Sequence, residues 1–218
     1  MNTQLATHWH QLTTPLLADA ARRDAMLHHL TAAYTASGRH YHNLRHVEVL
    51  LNAVQQQADA VQDMPVVQLA VWFHDAVYNA LRDDNETRSA ELALTFLAET
   101  TLPLDRQQRV AFLIERTKDH TQPQPPDDTD LHLFLDADLG ILGAPEATYW
   151  EYAQHVRKEY RLVPDILYRR GRRKVLEKLL HTSVLYQTET YRTQLDAAAR
   201  RNLQAELHAW EQEGKLPS

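Results

Sequence analysis

Apolar side chains recur at intervals of three and four along most of this chain, the spacing of helices that bury one face. The first such stretch starts near residue 4 and runs, with breaks, through LLADAARRDAMLHHLTAAY to a turn at Ser37-Gly38. From 43 to about 57 the stripe is Leu44, Val47, Leu50, Leu51 and Val54, one side of a second helical segment. Met64-Pro65 opens another, predicted over 66–80, and further helices are predicted over 83–97, with Asp84 or Asn85 as its cap, and over 104–118. HTQPQPPDDTD, residues 120–130, interrupts the pattern, because the prolines of PQPP cannot supply the N–H donors of a regular helix. Helical spacing resumes over 146–161, 165–182 and 190 to about 214.

Composition agrees with an all-α protein: there are only 5 glycines, while Ala, Leu, Gln, Arg and Glu abound. A net charge of −6 argues against general nucleic-acid binding, which draws on clustered Lys and Arg. No cysteine is present, so disulfides, thiolate zinc sites and cysteine nucleophiles are excluded together. The opening MNTQLATHWHQL lacks the basic start and apolar core of a secretory signal, and no run of about twenty apolar residues offers a membrane span. The expected location is cytoplasmic, with no membrane partner.

Three apolar stretches carry histidine and aspartate, which are costly to bury without partners. YHNLRH holds His42 and His46, four apart and on one helical face if the helix has begun at His42. WFHDAVY holds His74 and Asp75, whose directions differ by about 100° around a helix, so they share an ion only at a deformed helix end or with the ion lying between them. DADLGILG holds Asp136 and Asp138, one of which suits a cap for the helix that follows while the other is free to ligate. With no thiolate available, such a set suits a divalent ion among Mn, Mg, Co, Ni, Fe and Zn.

The ordered pattern His, His-Asp, Asp on successive helices resembles the HD-domain metal-dependent phosphohydrolase superfamily. It is most similar to a bacterial group of small predicted HD phosphohydrolases sharing YHNLRH, WFHDAVY, NETRSA, DADLGILG, VRKEY and ARRNL. The resemblance implies one HD-type helical domain over 1–218, with a core of about 25–145 and a C-terminal helical extension of about 146–214. It makes His46, His74, Asp75 and Asp138 the metal ligands and leaves Asp136 as a cap or supporting group. Through the similar Tyr-His-Asn-x-x-His run of cyclic nucleotide phosphodiesterases, it makes His42 the proton donor to the leaving oxygen. Glu86 in NETRSA resembles a base or supporting acid, though a first-turn Glu is also favoured by the helix dipole alone. His120 is an outside candidate for a second ion.

The implied activity is hydrolysis of a phosphomonoester or phosphodiester of a small molecule, with nucleotides among the candidates. Arg157, Arg169 and Arg172 are candidates for binding its phosphate. Most of the surrounding basic run, including YRRGRRK, reads as a solvated face paired with Glu159, Asp165 and Glu177. Two other readings follow from the same fold class: an HD-type di-iron oxygenase, and a non-catalytic metal-stabilised sensor. A homo-oligomer is left open.

Overall fold

The structure, a computed structural model, describes residues 3–212. Among them the regular elements are all helical, ten α-helices and two short 3₁₀ turns. The chain divides into two compact units, Met1–Lys118 and Asp119–Ser218. The division falls just ahead of the proline loop. No helix among the described residues is long and apolar enough to cross a membrane.

The first unit contains α1 (Thr3–Thr13), α2 (Ala20–Tyr34), α3 (Leu44–Gln56), α4 (Met64–Phe73), α5 (Asn85–Leu97) and α6 (Leu104–Arg116). Its axis is α4, packed against α3, α5 and α6. Val66, Val67, Leu69, Ala70, Val71, Trp72 and Phe73 are all fully buried, as expected for a helix apolar on every side. Trp9 of α1 meets the Trp72 ring edge-on at 5.3 Å, and the Tyr34 hydroxyl of α2 donates to the Trp72 carbonyl at 3.1 Å. At the other end of α4, Asp63 caps the helix by accepting from Val66 N–H. The same carboxylate takes both bonds of the Arg106 fork from α6, each 2.7 Å.

The second unit contains α7 (Thr129–Asp138), a 3₁₀ turn (Leu139–Gly143), α8 (Glu146–Glu159), α9 (Asp165–His181) and α10 (Glu189–Gln212). Its core gathers Leu142, Tyr149, Leu176, Leu179, Leu185, Tyr186, Ala199 and Leu203. Gly143 lets α10 approach the 3₁₀ turn, since a Cβ there would lie 2.6 Å from that of Leu195. Asn202 of α10 reinforces this contact by donating to the carbonyls of Leu142 and Ala144.

Helix limits follow the sequence closely at α3, α6, α8 and α9. The predicted end of the last helix near 214 lies outside the described residues. One expectation is corrected: the helix predicted over 66–80 stops at Phe73, and residues 74–79 are irregular. A second is corrected before α3, which begins at Leu44 with Asn43 as its N-cap, so His42 precedes the helix and does not share a helical face with His46.

A candidate metal centre

His46 is the third residue of α3, and its position is set by the cap before it. Asn43 Oδ1 accepts from Arg45 N–H at 2.9 Å while its Nδ2 donates to the His40 carbonyl at 2.9 Å, fixing both the helix start and the loop entering it. His74 is the C-cap of α4, where the backbone leaves the helix, and Asp75 follows in the turn. The departure resolves the directional conflict that these neighbours would have inside a helix.

His46, His74 and Asp75 each offer one ligating atom, and these atoms all lie within 4.8 Å of one another. The two histidine Nε2 atoms are 3.3 Å apart, and Asp75 Oδ2 lies 3.2 Å from that of His74 and 3.9 Å from that of His46. Ligands about 2.1 Å from one ion stand about 3.0–3.4 Å from each other at octahedral or tetrahedral angles. Two of the three spacings fall in that range, and the His46–Asp75 edge, at 3.9 Å, is longer.

The side chains are withdrawn from solvent, 3% exposed for His46, 1% for His74 and 14% for Asp75. Nδ1 of His74 lies 2.9 Å from the Val71 carbonyl, which can only accept, so the proton sits on Nδ1. This is the hydrogen bond that orients a ligating imidazole and leaves its Nε2 lone pair for an ion. Burial alone would raise the Asp75 pKa, but His74, His42 and His46 outweigh it and hold the carboxyl well below the ordinary range. The carboxylate is therefore charged, which suits it to a cation. Two imidazoles and a carboxylate form a nitrogen-and-oxygen donor set that fits a divalent metal.

His42 lies beside this group in the turn before α3. Its ring is 4.9 Å from that of Tyr41, 4.8 Å from that of Tyr78 and 5.9 Å from that of His46. Glu86 is half-buried in the first turn of α5 and is not a member of the three-residue group.

The remaining candidates belong to the second unit. Asp138, the last residue of α7, faces His120 Nε2 at 3.0 Å. Asp136 is almost wholly buried and receives the N–H groups of Gln187 and Thr188 and the Thr188 hydroxyl, each at 2.7 Å. Its role is to fix the entry to α10, about fifty residues away, and not to cap the element directly after it. Arg157 donates to the carbonyls of Tyr160 and Val163 and pairs with Asp165, holding the α8–α9 turn. The Arg169 guanidinium lies over Trp210 at 5.7 Å. Arg172 is buried and grips Glu206 through Nε and Nη2, both at 2.8 Å.

Arg39 and Ser89, not singled out in the sequence, and Asn85, singled out only as a cap, hold the backbone around the three-residue group. Asn85 was expected as a candidate cap, but Asp84 occupies the cap position, without a side-chain bond to the helix, and Asn85 turns toward the loop after Asp75. The available signal was the i, i+4 pair of small polar residues in NETRSA. Comparison with family models, with curated proteins and with solved structures finds no match to this chain.

Proposed function

We propose that this protein is a metal-dependent phosphohydrolase that cleaves a phosphomonoester or phosphodiester of a small molecule, with nucleotides among the candidate substrates. The observation that carries the reading is the grouping of His46, His74 and Asp75, with ligating atoms within 4.8 Å of one another in a buried setting and the His74 ring oriented by Val71. A divalent ion held there would supply water acidified toward neutral pH and would offset charge on phosphoryl oxygens. The HD resemblance adds Asp138 as a fourth ligand.

The chain's own groups divide the remaining work. His74 and Asp75 would hold the ion from one backbone turn, and His46 from the start of α3. His42, packed between Tyr41 and Tyr78, donates a proton to the leaving oxygen. Glu86 serves as a base or a supporting acid. The absence of cysteine is compatible with the reducing cytoplasm, which is the proposed location.

The test is elemental analysis of the purified protein, followed by a phosphoester panel assayed with Mn, Mg, Co, Ni and Fe. Bound metal and metal-dependent phosphate release support the reading. Metal without phosphate release shifts it to the oxygenase or the sensor, and no metal under any loading condition ends it.

A further inference from the structure

The backbone bearing Asp75 leaves α4 at Phe73 and runs without regular structure to residue 79. Such a segment lacks the repeating hydrogen bonds that fix a helix, so its shape must come from elsewhere. Side chains from two directions supply it. Arg39 Nη1 donates to the His42 carbonyl at 3.0 Å and Nη2 to the Ala76 carbonyl at 3.1 Å, so one planar cation spans the turn carrying His42 and the turn carrying Asp75. Its guanidinium is seated against the rings of Tyr34 and Tyr78, at 5.2 and 4.9 Å from their centroids.

On the other side, the Ser89 hydroxyl accepts from Val77 N–H at 3.0 Å and lies 3.3 Å from the Val77 carbonyl. Asn85, one turn earlier on α5, accepts from Asn79 N–H at 2.9 Å and donates to the Asn79 carbonyl at 3.0 Å. Both side chains are buried, where polar groups are favoured only when fully engaged. Every bond they make here goes to backbone, mostly that of the loop following the ligands.

We propose that Arg39, Asn85 and Ser89 are positioning residues, a clamp that holds the His74-Asp75 turn in ligating register with His46. Its consequence for metal affinity rests on the metal-centre reading above; its consequence for geometry does not. Lysine cannot replace Arg39, because a single ammonium lacks the planar fork that reaches two carbonyls in fixed directions.

The experiment compares wild type, Arg39→Lys, Ser89→Ala and the control Arg82→Lys, which changes an exposed side chain paired with Asp84. Two readouts are taken: the ring-nitrogen NMR signals of His42, His46 and His74 without metal, and cobalt affinity by competition with a chelator. Arg39→Lys and Ser89→Ala are expected to shift the His42 and His74 ring signals and to weaken cobalt binding about 10–100-fold, the scale of supporting-residue effects on metal sites. The metal-free unfolding temperature should move far less than that loss implies, and Arg82→Lys should leave both readouts unchanged. Unshifted ring signals with cobalt affinity within about twofold of wild type overturn the clamp, as does an equal loss in Arg82→Lys. If wild type binds no cobalt, the metal reading fails, and the ring signals alone decide the clamp: shifted signals support it and unshifted signals overturn it.

Discussion

The carboxylates of Asp75 and Glu206 are both withdrawn from water, yet different partners meet them. Glu206 is fully buried and accepts from Arg172 Nε and Nη2, the Tyr149 hydroxyl and Trp210 Nε1. Burial would raise its pKa, but Arg172 outweighs that and draws it below the ordinary range. Charge and hydrogen bonds close on themselves, as a buried ion pair requires if it is not to destabilise the fold. Around Asp75 the neighbours are instead the ring nitrogens of His74 at 3.2 Å and His46 at 3.9 Å, groups that can themselves ligate. The difference teaches that burial of charge does not mark a functional site by itself. The Asp75 group differs in being a nitrogen-and-oxygen donor set that could hold a cation.

The largest expected effect separates the two clusters outright. His74→Ala or Asp75→Ala should abolish bound metal and phosphatase activity with the fold retained, checked by elemental analysis, phosphate release and circular dichroism. Full retention of metal by either variant would remove the site assignment. Glu206→Gln should do the reverse, costing about 3–5 kcal/mol in chemical unfolding because it leaves Arg172 buried beside a neutral partner, while metal content stays at wild type.

The same pair sets an acid limit on stability. A carboxylate with a depressed folded pKa contributes stability that is fully present above its unfolded value, about 4.3, and is lost as pH falls through the folded value. Wild-type stability should therefore lose this contribution at acid pH, and the difference between wild type and Glu206→Gln should shrink there. A difference that is constant from neutral to acid pH would show that the pair does not act through charge.

Helix existence was readable because α3, α6, α8 and α9 carry one apolar stripe each and end near recognisable caps or prolines. The end of α4 was not, for a physical reason: an all-round apolar helix has no polar face whose rhythm could falter. The backbone just beyond it is bonded by Arg39, Asn85 and Ser89, none of which belongs to the apolar stretch itself. The candidate ligand types were visible as polar islands in apolar stretches, and the exclusion of thiolates was complete. The use of Asp136 was hidden, since its partners Gln187 and Thr188 lie about fifty residues on. Arg172 was hidden likewise, in a basic run that looks solvent-facing. Arg157 with Asp165 and Arg173 with Glu177 do form the pairs that a solvated face suggests, whereas Glu159, expected on the same face, is buried.

Smaller effects sharpen the contrast within single motifs. His42→Ala should keep the metal and slow turnover about 10²–10⁴-fold, least for substrates with good leaving groups; loss of metal would make His42 a ligand instead. Asp138→Asn should weaken metal binding more than Asp136→Asn does. Asp136→Asn should instead lower stability by about 1–3 kcal/mol, because the donors at the α10 entry lose a charged acceptor. The opposite order of metal affinities would exchange the two aspartates' roles.

X-ray absorption of the zinc-loaded protein tests the central claim most directly, because it reads the identity of the atoms around the ion. Scattering from two imidazoles is expected, with nitrogen at about 2.0–2.1 Å, the rest of the shell being oxygen, and with loss of one imidazole in His46→Ala. A shell of oxygen alone, or one that His46→Ala leaves unchanged, would contradict it.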